Sequence, residues 1–200
     1  MTKPFSQACE NNKTFIFPIL KKTLQNSKKL LEVGSGTGQH AIYFAKQLPW
    51  LTWQTSDLLA NHQGIEQWLN EYPAKNLHSP IELDLNNKWS VTDIDAIYTA
   101  NTLHIISWSL VQAFFAGVSQ HLSNNGKLCI YGPFNYQGKF TSESNANFDL
   151  WLKSRDSNSG IRDIEAINKL AEKAGLQLDY DHEMPANNRL LVFTKLSKSR

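Results

Sequence analysis

From residue 28 onward, short apolar runs rich in β-branched residues alternate with stretches whose apolar positions recur at helical spacing. That alternation predicts a parallel sheet with helices on both faces. Strands are expected over 29–33, 51–56, 81–83, 95–100 and 127–131. Ala41, Ile42, Ala45 and Leu48 mark a helix after the first strand, and Pro49 ends it. Ile65, Trp68, Leu69 and Tyr72, at i, i+3, i+4 and i+7, mark the next. A third helix follows the fourth strand, with Leu110, Val111, Phe114, Phe115, Val118 and Leu122 on one face. Asn124-Asn125-Gly126 is expected to turn the chain into the fifth strand. Residues 132–160 show no regular period and read as an irregular connection, where a substrate lid would belong. A helix over 163–174 turns Ile164, Ile167, Leu170 and Ala171 inward and stops at Gly175. Strands over 176–183 and 190–195 complete the set. The short connection from Met184 to Arg189 holds no helix, and a parallel crossover needs a dozen residues or more, so the last two strands form an antiparallel hairpin. The expectation is an α/β chain, one domain over 1–200, with a seven-stranded, mostly parallel sheet ending in that hairpin.

Composition narrows the partners more than the fold. Twenty basic and eighteen acidic residues leave a net charge of +2, without the field a long nucleic acid partner demands. The basic tail Lys195, Lys198 and Arg200 reads as a solvated end. Cys9 and Cys129 make neither a disulfide framework nor a metal-ligand cluster, and Cys129 sits in an apolar run as a buried small hydrophobe. No signal-peptide core and no stretch long enough to cross a membrane are present, so a soluble cytoplasmic protein is expected.

The densest chemistry lies in Leu30-Leu31-Glu32-Val33-Gly34-Ser35-Gly36-Thr37-Gly38. Apolar residues feed a strand, glycines allow a sharp turn and close backbone approach, and the next helix aims its N–H groups at whatever binds there. A tight turn without a ligand has the same composition. A phosphate-binding loop requires Lys and Ser or Thr after the last glycine, where Gln39 and His40 stand. The dinucleotide fingerprint needs its third glycine at position 39. Asp57, nineteen residues after Gly38, ends the second strand, where a carboxylate can accept hydrogen bonds from both hydroxyls of a ribose. Asp84, followed by Leu85, ends the third strand and Asn101 the fourth. Polar residues at successive carboxyl ends fit the rule for ligand sites in open α/β sheets.

The spacing G-x-G-x-G over Gly34, Gly36 and Gly38, with Glu32 two residues before it, resembles motif I of class I methyltransferases, which have a Rossmann-like fold. The resemblance implies S-adenosyl-L-methionine as cofactor, with Glu32 near its cationic methionyl part. Gly34, Ser35, Gly36 and Gly38 would form the loop around it, and Asp57 would hold the ribose. It further implies Asp84 on the adenine amino group, the Leu85 backbone along the ring, and Asn101 flanking the crevice. Asn101-Thr102-Leu103-His104 lacks the Pro-Pro-aromatic motif of many amide methyltransferases and the Pro-Cys of the cytosine C5 enzymes.

Much of the chain, from about residue 6 to 195, is also similar to the family known as domain of unknown function 938, called methyltransferase-like protein 26 in animals. The matching stretches include residues 35–40, 131–134, 144–145, 148–149, 155–156, 160–163 and 184–188. They imply the same fold and cofactor but no acceptor. Gln7 and Asn11 depart from the Pro and Arg of the family pattern, in a segment whose Glu10, Asn12 and Lys13 would contact the cofactor if it closes over it.

Methyl transfer from a sulfonium is a direct displacement, in which the protein chiefly positions the acceptor and excludes water. His104 is the candidate base for an acceptor that starts protonated, or else a structural histidine. Phe134 and Tyr136 line the sulfonium by cation–π contact, or pack. Arg155 and Arg162 clamp an anionic substrate, or pair with Asp156 and Asp163 to fix the loop. Asn187 and Asn188 turn the last hairpin, or reach the acceptor. The expected partner is a small-molecule methyl acceptor, with no metal. The rivals are a non-catalytic adenosyl-binding protein and an NAD(P)-dependent oxidoreductase.

Overall fold

A computed structural model describes residues 3–197. Five strands, β1 Lys29–Val33, β2 Thr52–Asp57, β3 Leu77–Glu82, β4 Ile94–Ala100 and β5 Leu122–Asn135, run parallel to one another. A two-residue strand, β6 Arg162–Asp163, joins β5 alone. The chain then closes with the antiparallel hairpin of β7 Leu176–Met184 and β8 Asn188–Lys195, β8 lying against β5. The spatial order is β3-β2-β1-β4-β5-β8-β7, the expected seven-stranded path with β6 as an addition.

Both faces are covered, as alternation along the strands requires. Leu30 packs with Ile16 and Leu20 of α1 (Gln7–Thr23) and Phe44 of α2 (Gln39–Gln47). Its neighbour Leu31 points the other way, to Phe114 and Val118 of α4 (Trp108–His121) and Ile167 of α6 (Ile164–Lys173). Between these two, α3 (Leu59–Glu71) follows β2, and α5 (Glu143–Arg155) follows β5. No helix among the described residues is long and apolar enough to cross a membrane.

Four elements differ from the sequence expectation. Helix α1 was not anticipated: its buried stripe starts at a polar residue, Asn12, before reaching Ile16 and Leu20, and Pro18 lies inside it. Helix α5 occupies half of the stretch expected to be irregular, because the residues it buries are Asn145, Asp149 and Leu152, a stripe without an apolar period. Strand β3 starts earlier than expected and ends at Glu82, leaving Leu83 and Asp84 beyond it. Asn125, with φ 63°, does not turn the chain ahead of β5 but forms a register shift inside it. Lys195 is likewise no solvated end: it is buried, and its Nζ donates to Ser119 O at 2.5 Å. Lys198 and Arg200 lie outside the described residues.

Packing on the α4 side sets one stability prediction. A Cβ on Gly117 would stand 2.2 Å from Cζ2 of the buried Trp89 ring, which stacks on His121. Gly117→Ala is therefore expected to destabilise the protein by about 1–3 kcal/mol through overpacking, despite alanine's better helix propensity. A lower urea midpoint at constant slope checks it.

Candidate functional site

After β1 the chain goes to β2 and β3 on one side, and returns to β4 and β5 on the other. The carboxyl ends of β1 and β4 therefore part at a topological switch point, where open sheets leave a crevice. A cavity of about 1340 Å³ opens there.

Its floor is the glycine loop. Gly34 N and Ser35 N donate to Ser56 O at 3.1 and 2.9 Å, lashing the loop to the end of β2. Gly36 N donates to Asp57 Oδ2 at 2.7 Å, while Oδ1 accepts from Leu58 N at 2.8 Å and Asn61 Nδ2 at 2.7 Å. Gly36 has φ +60°, and nothing lies within 4 Å of where its Cβ would be, so bare backbone faces the cavity. Gly38 serves a different purpose. A Cβ there would meet Ile65 Cγ2 at 3.2 Å, so this glycine lets α3 approach and does not line the cavity.

Glu32 borders the same space and is 2 % exposed. Its Oε2 accepts from Ser35 Oγ at 2.9 Å and from Trp53 Nε1 at 3.0 Å. Burial raises its pKa to about 7, and the nearby Asp57 carboxylate adds to the rise. Asn101 holds a left-handed backbone, φ 56°, which asparagine tolerates, and joins the lining beside Thr102.

The start of α1 forms the roof through Ser6, Ala8, Cys9, Asn11 and Asn12. It is held down by polar contacts: Gln39 Oε1 accepts from Ser6 N at 2.6 Å, and Gln39 Nε2 donates to Glu10 Oε1 at 2.7 Å. His40 bridges Asn12 Oδ1 at 2.6 Å and the Tyr98 hydroxyl at 3.2 Å. Burial lowers the His40 pKa to about 4, so the ring bridges as the neutral form. Glu10 and Lys13 pair with each other, and neither lines the cavity.

The far half of the cavity is lined by His104, Tyr131, Asn145, Phe148, Trp151 and Arg155, with Pro185, Ala186 and Asn188 of the last hairpin. His104 is 5 % exposed, and burial followed by the Arg162 charge lowers its pKa to about 4. Its ring meets Phe148 edge-on. Tyr131 is pushed up to about 12 by burial, which a hydrogen bond from Asn12 partly offsets.

Several expected site residues do other work. Phe134 is 1 % exposed in the core and does not line the cavity. Tyr136 donates its hydroxyl to Asp181 Oδ2 at 2.6 Å beneath Arg189, away from the crevice. Arg162 makes no pair with Asp156; its guanidinium donates to the carbonyls of Leu103, Ile106 and Asn158, which fixes the loop after β4. Asp84 accepts from Asn86 N at 2.9 Å and closes a local turn, and Leu85 packs on the core; neither lines the cavity. Asn187, with φ 56°, accepts from Asn145 Nδ2 through its carbonyl and tethers the hairpin to α5, whereas Asn188 reaches the lining. Phe148 and Trp151 were missed as site residues; their spacing with Arg155 was the available signal, since positions 148, 151 and 155 share one helical face.

This order of strands, with the glycine loop at the switch point and an antiparallel hairpin at the end, is the class I methyltransferase fold. An O-methyltransferase family protein from Burkholderia thailandensis superposes with a TM-score of 0.82 at 14% identity, over 94% of this chain and 57% of that one. Mitomycin 7-O-methyltransferase gives 0.77 at 14%, over 86% and 50%. Human N-acetylserotonin methyltransferase, solved in complex with S-adenosylmethionine, gives 0.75 at 12%, over 91% and 53%. The chain thus spans about half the length of these solved proteins. It matches the family described as protein of unknown function (DUF938) over residues 3–195, and belongs to that family.

Proposed function

We propose that this protein is an S-adenosylmethionine-dependent methyltransferase acting on a small-molecule acceptor. The carrying observation is that Glu32, the Gly34–Gly36 loop, Asp57 and Asn101 converge on one cavity that continues to His104 and α5. The residues suit the cofactor. Open space over Gly36 leaves room for a ligand against the backbone, and a buried carboxylate at Glu32 complements a cation. Asp57 offers acceptor oxygens for a ribose, and Asn12 stands in the roof above the loop.

When bound, S-adenosylmethionine supplies a methyl group activated by a sulfonium. The chain's own task is positional. The α1 roof keeps water out, and α5 with the hairpin tip holds the acceptor. The imidazole of His104 is neutral at physiological pH, so it can accept a hydrogen bond from an acceptor hydroxyl and orient it, whereas burial and the Arg162 charge make it too weak a base to hold the proton itself. In place of the dinucleotide fingerprint's third glycine stands the Gln39 side chain, buried against α1, which disfavours the oxidoreductase reading.

Calorimetric titration with S-adenosylmethionine, S-adenosylhomocysteine and NADH tests the reading. Saturable heat is expected from both adenosyl ligands and none from NADH. Folded protein that binds neither adenosyl ligand would sink it, and binding of NADH alone would make the protein a nicotinamide enzyme.

A further inference from the structure

Phe148, Trp151 and Arg155 stand three and four residues apart on α5, so one helical face carries all of them to the cavity. The two rings lie nearly parallel, 16° apart with centroids at 5.6 Å. The edge-on ring of His104 stands 5.4 Å from Phe148. Trp151 remains 50% exposed, unlike the enclosed Trp53 of the core, so aromatic surface is left bare. The Arg155 guanidinium lies 4.9 Å from the Trp151 ring. Among the described residues it makes no hydrogen bond and no ion pair. Neighbouring Asp156 already accepts from Asn158 N at 2.9 Å and Asn158 Nδ2 at 3.1 Å. Lys153, by contrast, is committed to Asp149 at 2.6 Å.

The part-exposed Phe148–Trp151 stack, beside a guanidinium that has no carboxylate partner among the described residues, complements a flat ring that carries an anion. A cationic amine would be drawn to the rings but repelled by Arg155, and a saturated ring would lose the flat contact. Resting on the methyltransferase reading above, we propose that the acceptor is an aromatic carboxylate, its ring along Phe148 and Trp151 and its carboxylate on Arg155.

The test titrates protein saturated with S-adenosylhomocysteine against salicylate, cinnamate, benzyl alcohol, tyramine and cyclohexanecarboxylate. At least one of the two aromatic carboxylates is expected to bind about tenfold more tightly than the other three, the size of a charge-assisted contact. Arg155→Gln should erase that advantage, weakening the aromatic carboxylates more than benzyl alcohol, and Trp151→Ala should weaken all three. If S-adenosylhomocysteine itself gives no heat, the methyltransferase reading fails. If it binds but neither aromatic carboxylate does, or tyramine or cyclohexanecarboxylate binds equally well, or Arg155→Gln changes nothing, the aromatic carboxylate proposal alone is overturned.

Discussion

Asp57→Ala is expected to weaken S-adenosylmethionine binding by about a hundredfold or more, because it removes two contributions together. The first is the proposed pair of charge-assisted bonds to the ribose, each worth about 1.5–3 kcal/mol. The second is the shape of the loop. Asp57 Oδ2 pins Gly36 N, and Oδ1 gathers Leu58 N and Asn61 Nδ2 at the head of α3. Without it, the bare backbone at Gly36 is no longer fixed against the cavity. Asp57→Asn keeps the size but only one of the two acceptor oxygens, so it can hold Gly36 N or Leu58 N but not both, and it is expected to fall between wild type and Asp57→Ala in affinity and in melting temperature. Calorimetry beside thermal melts reads both. If Asp57→Asn binds as wild type while Asp57→Ala merely melts earlier, Asp57 is a loop fastener and no ribose ligand.

What the chain disclosed in advance follows the physics of each element. Strand β1 was legible because it is largely apolar and bounded by a turn, and the last hairpin because its two strands are too closely joined for any other connection. The glycine loop was legible because backbone conformations such as Gly36's tolerate few other residues. Helix α5 was not. It buries Asn145 and Asp149, whose oxygens and amide bind the Thr141 hydroxyl, the Asn187 carbonyl and Ile161 N, so hydrogen bonds do what apolar burial does elsewhere. The same holds for the roof, where Asn12, Gln39 and His40 lock α1 through buried polar contacts that leave no hydrophobic period. Position along a strand also misassigned side chains. Phe134 and Tyr136 follow the fifth strand in sequence, but β5 extends to Asn135 and carries them into the core and toward Asp181.

Glu32 couples binding to pH in a direction that distinguishes it from a structural acid. Its raised pKa of about 7 means that near pH 6 it is mostly protonated, whereas a cationic methionyl group requires the anion. Affinity is therefore expected to rise about tenfold from pH 6 to 8, with proton release on binding below pH 7 detectable by calorimetry in buffers of different ionisation enthalpy. Glu32→Gln should bind about a hundredfold more weakly at pH 8 and lose this pH dependence. Stability moves the opposite way. The folded state holds a proton on Glu32 that the unfolded state has released, between the ordinary value of 4.5 and about 7. Its contribution is thus fully present below 4.5 and lost as pH rises through 7, where a buried charge must be carried. Glu32→Gln, which keeps an acceptor for Ser35 Oγ and Trp53 Nε1, should accordingly be more stable than wild type above pH 7, by ~1–3 kcal/mol, and no more stable below pH 4.5. A variant that gains stability while losing cofactor marks a carboxylate retained for binding at a cost to the fold. Equal affinity at both pH values in the wild type, or a variant destabilised at every pH, would make Glu32 a strut for the Ser35–Trp53 contact instead.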